Sequence, residues 1–445
     1  MKNELLELAQ DTMNLALKAG ATSAEAMVAE SRDSSLSIRH GVVEELEQSE
    51  SRAVGLRVFA GQSSATIASS VLTREARQKL AERVLAMAKL APPDPFDGLA
   101  DAQQLATQQH DFDLISKTSP STSELKKLVE ETEGAGLAVK GISKSGGAGG
   151  SSSSSTTALA FSNGFAKSWE RTGFGLSASL VAGEGTGMVR DYYGSYANHF
   201  DDVEKPEFIG TKAAERTMAR FNPRKLESQS VPVIFDRRVS SSLLGHFAGA
   251  INGSSIARGV SFLKEKLGQQ VFKSGVTIVD DPHRHRGFAS KSFDGEGLPT
   301  QKRNFIDKGV LTSWILDLRS ARQLNLQSTA SASRGLASNP SPSTSNLHME
   351  PGHQSPDDMI RALKKGLLIT EFIGNANNPA TGDYSRGASG FWIENGEIQY
   401  PVSEITVAGN LIEMFMHLTP ANDLEFRSST NAPSCFVEGM TLAGR

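Results

Sequence analysis

Between residues 24 and 68 the chain runs through short stretches of alternating apolar and polar side chains, separated by gaps too short to hold a crossover helix. Parallel neighbours need a connection of roughly a dozen or more residues, so strands this close together can pair only as antiparallel hairpins. The period-two pattern marks five strand candidates: 24–30, 34–40 (Leu36 and Ile38 on one face), 42–48, 53–59 and 63–68. The expectation is an antiparallel meander over 24–69. Helices flank it in sequence. Leu5, Leu6, Ala9, Met13, Ala16 and Leu17 recur at three- and four-residue spacing across 3–19, and Gly20 ends the run. Thr73 offers an N-cap to a second helix, 73–90, with Leu80, Val84, Leu85 and Ala88 on one side and Pro92, Pro93 and Pro95 beyond it.

Residues 96–120 read as a loop or lid, and 124–133 as a short helix capped by Thr122 or Ser123. The run SGGAGGSSSSSTT, 145–157, offers almost nothing to bury and reads as a mobile Ser/Gly-rich hairpin tip, the place where a protease would nick first. A strand at 158–162 follows and turns at Asn163-Gly164. A helix is expected near 207–220, and the polar stretch 222–230 divides an N-terminal α+β domain, 1–225, from a β-rich C-terminal domain, 226–445. In the second half the pattern predicts strands at 231–235, 276–279, 304–306 and 310–315, and helices at 239–251, 357–364 and 411–418. A hairpin, 391–394 and 397–400, turns at Asn395-Gly396. The fold class is α+β: two domains rich in antiparallel sheet with flanking helices.

Composition removes several functions. Aromatic residues are 7%, too few for a base-stacking platform, and a formal charge of -4 gives no general attraction to DNA or anionic lipid. No direct nucleic-acid binding and no membrane association are expected, since no run approaches the roughly 18–20 apolar residues of a span. The opening MKNELLELAQD carries Glu4, Glu7 and Asp11 where a secretory leader needs an apolar core, so a cytoplasmic location is expected. The one cysteine, Cys435, excludes an internal disulfide and any zinc site built on two thiolates.

Motif searches are mostly negative. There is no phosphate loop, no G-x-S-x-G elbow and no His-Glu dipeptide, and Gly183-x-Gly185-x-Gly187 lacks the strand–turn–helix context of a dinucleotide site. Asp280-Asp281-Pro282-His283-Arg284-His285 is either a divalent-ion site or a polar turn, with Arg284 and Arg286 opposing a cation. His246 sits in an apolar helical run and reads as a packed histidine; Cys435, beside Phe436 and Val437, reads as a buried thiol. Two segments are richer. Ser292-Phe293-Asp294-Gly295-Glu296-Gly297 sets two carboxylates among glycines, either at a ligand or in a solvated turn. Thr381-Gly382-Asp383-Tyr384-Ser385-Arg386 is dense in hydrogen-bonding groups, a pocket wall or an internally bonded loop.

These two segments, in this order, resemble the TldD/PmbA family, also known as modulators of DNA gyrase. Val276-Thr277-Ile278-Val279-Asp280-Asp281, Asp294-Gly295-Glu296-Gly297 and Ile306-Asp307-Lys308-Gly309-Val310-Leu311 carry the resemblance, followed by Thr381-Gly382-Asp383-Tyr384-Ser385. Gly390-Phe391-Trp392-Ile393-Glu394-Asn395-Gly396, Ile405-Thr406-Val407-Ala408-Gly409-Asn410-Leu411, Asn422-Asp423-Leu424 and Pro433-Ser434 complete it. The resemblance implies a two-subunit cytoplasmic zinc metalloprotease acting on unfolded peptides, including leader peptides of peptide antibiotics and antitoxins. One subunit type, TldD, holds zinc with H-E-x-x-x-H on a helix and a later cysteine; the other, PmbA/TldE, lacks those ligands.

In this sequence the corresponding helix, 237–246, has His246 and no glutamate before Glu265, and Cys435 follows Pro433 instead of preceding the final Pro-containing strand. The expectation is therefore a metal-free PmbA/TldE-type subunit, with no cofactor of its own and zinc held by a TldD-type partner. Isolated, it is expected to form a homodimer by covering its partner-binding face. Asp294, Glu296, Thr381, Asp383, Ser385 and Arg386 are the candidate residues of the peptide cavity. Two other readings stay open: a stand-alone peptidase using Asp294 and Glu296 or His283 and His285, and a regulator of gyrase without a proteolytic role.

Overall fold

The computed structural model describes residues 2–374 and 377–444. Its N-terminal half runs α1 (Lys2–Lys18), β1 (Ser23–Arg39), β2 (Val42–Ala60), β3 (Ser63–Ser69), α2 (Arg74–Leu90), α3 (Thr122–Leu137), β4 (Ile142–Phe161), β5 (Ala166–Ala182), β6 (Val189–Ala197) and α4 (Pro206–Ala219). The strands form one antiparallel sheet in the order β3-β2-β1-β4-β5-β6. Its long strands carry two separate cores on one face. Ala24, Ala26 and Val28 of β1 pack with α1 and α2 at one end, while Leu36 and Ile38 of the same strand pack with α3 and α4 at the other. All five positions are even-numbered, so a single unbroken pleat serves both cores.

That continuity corrects the five-strand expectation: the candidates fuse into three strands. Residues 31–33 are polar, yet Ser31 pairs with Ser51 of β2 and Ser155 of β4, so the ladder continues through them. The larger correction concerns 145–157, which is no hairpin tip. It lies inside β4, between β1 and β5, with Ser151–Ser155 registered against both neighbours. A central strand satisfies its backbone on both edges whatever its side chains are, and small residues let helices come close. At Gly150 an added Cβ would lie 2.7 Å from Leu125 and 2.8 Å from Val129 of α3. The helix cap also moves: Ser121, not Thr122 or Ser123, accepts the bond from the Glu124 amide.

The C-terminal half opens with β7 (Gln229–Phe235), α5 (Arg237–Ala250) and α6 (Gly253–Ala257). Short elements follow: β8 (Ile278–Asp280), β9 (Arg303–Asp307), β10 (Val310–Leu311), α7 (Leu318–Gln323), β11 (Ala332–Ser333), β12 (Ser341–Pro342), β13 (Leu347–Met349) and α8 (Pro356–Arg361). Then come β14 (Lys365–Ile373), β15 (Asp383–Glu394), β16 (Glu397–Asn410), α9 (Leu411–Met416), β17 (Leu418–Pro420), β18 (Thr430–Asn431) and β19 (Cys435–Ala443). The order β16-β15-β14-β7-β19 closes on itself, because β19 also pairs with β16, and β17 is attached to β19. A smaller sheet, β10-β9-β8-β13-β18, lies beside it.

Two expectations shift here. The strand at 310–315 shrinks to Val310–Leu311, and the polar stretch from Asp383 is not a loop but the start of β15, paired with β16 from Asp383↔Asn410 onward. The outer face of the N-terminal sheet meets the C-terminal half through Leu159, Phe161 and Phe165, which pack with Phe293. Beside them lies a buried ion network, in which Glu25 accepts from Arg57 at 3.2 Å and Arg334 at 2.9 Å while Arg57 also bonds Asp97. Removing one member of such a network leaves a buried charge unpaired, a cost of about 3–5 kcal/mol, so this contact fixes how the halves dock.

Candidate functional site

α5 follows β7 directly, as the metal helix should. Asp236 caps it by accepting from the Arg238 amide at 2.9 Å, and Leu243, Leu244 and Phe247 anchor it in the C-terminal core. Gly245, His246 and Gly249 are left toward the outside. The half-buried His246 ring meets Tyr384 of β15 edge-on, with centroids 5.6 Å apart. Its Nε2 is buried with no hydrogen-bond partner among the described residues, as is the Tyr384 hydroxyl. Burial and then the nearby Arg386 hold the His246 pKa below the ordinary imidazole value, so the ring stays neutral near pH 7. Cys435 is fully buried in β19, with Sγ 3.3 Å from the Pro433 carbonyl and 3.8 Å from Met349 Sδ. Burial raises its pKa, so it is held as the inert thiol.

The two acidic candidates occupy one tight loop. Asp294 Oδ1 accepts from the amides of Glu296 at 2.9 Å and Leu298 at 3.0 Å, and Oδ2 accepts from the Ala332 amide at 3.0 Å. Glu296 Oε2 accepts from the Leu318 amide at 2.8 Å. Burial raises both pKa values, and for Glu296 the neighbouring Asp294 and Asp317 add to it. Gly297 takes φ +82° and lies so close to Phe165 that a Cβ would sit 2.9 Å from the ring. Gly297 is needed because the loop is pressed against Phe165, whereas a Cβ at Gly295 would meet Ala332 and Arg334 of the C-terminal half at 3.3 Å.

A cavity of about 530 Å³ opens where the two halves meet. Asp294 contributes to its wall, whereas Glu296 and the 381–386 stretch do not. Thr381 and Asp383 are exposed and bonded to each other at 2.6 Å, and Asn410 donates to Asp383 at 3.2 Å. Ser385 is exposed, and Arg386 donates to the Gly374 carbonyl at 2.8 Å from Nη2 and lies 4.2 Å over Phe372. Arg386 is thus placed by α5 and His246, apart from the acidic loop. His283 and His285 are exposed, while Asp280 points inward and accepts from the Ser345 amide at 2.8 Å. Sequence reading missed Lys291, Arg171 and Trp169 of the cavity wall. Lys291 stands three residues before Asp294, the one available signal; Arg171 and Trp169 alternate on β5 like any strand residues.

Residues 24–88, 116–221 and 228–444 match, in order, the sequence profiles of PmbA/TldA metallopeptidase domain 1, the central domain and the C-terminal domain. The chain belongs to the PmbA/TldD family. It is 36% identical over 446 residues to the metalloprotease PmbA of Escherichia coli O157:H7, covering 100% of this chain and 97% of that one. Among solved structures, a proposed modulator of DNA gyrase from Bacteroides thetaiotaomicron superposes with a TM-score of 0.91 at 28% identity, covering 99% of this chain and 98% of that one. TldE from Thermococcus kodakarensis shares the fold, with a TM-score of 0.84 at 19% identity over 98% of this chain and 100% of that one. Among the described residues no helix is long and apolar enough to cross a membrane.

A PmbA/TldD chain invites a test for zinc, and the residues present do not fit it. Zinc in a protease takes about three protein ligands and an open position. Here α5 brings one imidazole, Gly245 and Gly249 flank it without donors, and the Cys435 thiol is turned into the core. Among the described residues no three His, Cys, Asp or Glu side chains converge as a metal site.

Proposed function

We propose that this chain is the non-catalytic, metal-free subunit of a heteromeric PmbA/TldD zinc metalloprotease that processes unfolded peptides such as antibiotic leader peptides and antitoxins. A TldD-type partner holds the zinc and the base that activates its water. The observation that carries this reading is α5 itself: it stands where the metal helix is expected and is well capped and packed, yet it offers His246 alone and no glutamate. Full-length similarity to a PmbA supports it further.

The stand-alone reading is weaker on the geometry. Both Asp294 oxygens and one Glu296 oxygen are engaged by backbone amides, and the exposed His283 and His285 are taken up by Thr300, 3.1 Å from His283 Nε2, and Asp113, 3.7 Å from His285 Nε2. The test is reconstitution: peptide cleavage measured for this chain, for a TldD-type partner, and for the mixture. Cleavage that needs both chains, or rises at least tenfold on mixing, supports the proposal. Equal cleavage by this chain alone overturns it.

A further inference from the structure

We infer that the cavity between the two halves is a binding site for a carboxylate carried on an apolar body, the form presented by the C-terminal residue of a peptide. The site is separate from α5. It extends the peptide-handling reading but does not rest on zinc chemistry in either subunit.

The argument begins with unmatched donors. Lys291 lines the cavity, and its Nζ has only a long 3.4 Å contact to the Ala332 carbonyl and no carboxylate within ion-pair distance among the described residues. Arg171 also lines it and spends both terminal nitrogens on backbone carbonyls, Phe288 at 2.5 Å and Ser290 at 2.9 Å, while its buried Nε has no partner. Arg334 adds a third cation with an unpartnered Nε, although its Nη1 is bonded to Glu25. Unpaired donors out of water are costly and uncommon, and cations more so.

The nearby carboxylates do not answer them. Asp294 is turned into three backbone amides, and both Asp280 oxygens accept from the Ser345 amide at 2.8 and 3.1 Å. They attract Lys291 through space, yet desolvation still outweighs them and lowers its pKa; for Arg171 burial lowers the pKa unopposed. The cavity also has an apolar lining: Met27, Leu159, Trp169 and Phe293. A volume of about 530 Å³ falls within the roughly 300–1,000 Å³ of small-molecule sites. A cationic group among apolar and aromatic lining residues suits an anion with an apolar group attached, and not a bare inorganic ion.

Trp169 supplies a reporter. Titration of the intact chain with N-acetyl-phenylalanine and N-acetyl-leucine, followed by tryptophan fluorescence and calorimetry, should give saturable binding at least tenfold tighter than that of the corresponding amides. Lys291→Met keeps the stem and removes the charge. It should lose at least tenfold in carboxylate affinity while melting no lower than the parent, because an unpaired buried cation does not stabilise the fold. Carboxylates and amides binding alike, no binding at millimolar concentration, or full affinity in Lys291→Met would each overturn the inference. Inorganic phosphate competing as tightly as the N-acetyl amino acids would overturn the apolar part of the assignment.

Discussion

Replacing Asp294 with Ala removes one side chain that accepts three buried backbone bonds, from Glu296, Leu298 and Ala332. Each net bond contributes about 1–1.5 kcal/mol, so the local cost is about 3–4 kcal/mol. A tenfold change in an opening equilibrium corresponds to about 1.4 kcal/mol, which predicts amide exchange faster by a factor of roughly 100–1,000 around these sites. Hydrogen exchange read by mass spectrometry on peptides spanning 292–300 and 330–334 measures this directly. Asp294→Asn, whose single carbonyl can still accept from the Glu296 and Leu298 amides but whose NH2 would face the Ala332 amide, should show the increase at 330–334 and little at 292–300. If Asp294→Ala exchanges like the parent but loses peptide handling in the reconstituted complex, the side chain is a ligand-binding group and the structural assignment is wrong.

Other outcomes follow from equally local features. In α4, Gly210→Ala would place a Cβ 2.1 Å from the Thr132 carbonyl of α3. The overpacking cost of about 1–3 kcal/mol should exceed the roughly 1 kcal/mol gained in helix propensity, giving a lower urea midpoint; a higher one would refute the tight α3–α4 contact. Burial raises the Asp280 pKa from 3.8 to about 6, so the folded chain holds a proton that the unfolded chain has released. That contribution is present below pH about 4 and lost as pH rises to about 6, a change of about 3 kcal/mol; Asp280→Asn should flatten it in urea titrations at pH 4.5 and 7, and an unchanged pH slope would refute it. A nonspecific protease should cut first in the exposed connection 107–119, which has no helix or strand, and leave 145–157 intact; cutting first within 145–157 would refute its place in β4.

The elements that sequence revealed were those whose period matched their burial. The amphipathic α1 and α2 and the apolar β7 could be read because one face of each is buried and the pattern records it. The Gly/Ser run of β4 could not, since its order comes from ladder bonds to β1 and β5 that leave no trace in side-chain hydropathy. The start of β15 was obscured in the same way, its polar residues Asp383 and Ser385 paired to β16 while facing solvent. For the site, glycines beside Asp294 and Glu296 marked a constrained loop, but not whether the constraint served a ligand or a domain contact. Cavity residues such as Arg171 and Lys291 gain their meaning only from two halves brought together, and no local pattern encodes that.

The most direct measurement is zinc stoichiometry combined with His246→Ala. The purified chain should carry far less than one equivalent of zinc and should not cleave peptides. The complex with a TldD-type partner should cleave in a chelator-sensitive manner, and His246→Ala in this chain should leave that activity within a few-fold. One equivalent of zinc bound by this chain alone, lost together with peptide cleavage on His246→Ala, would contradict the account and make the chain a metalloprotease in its own right.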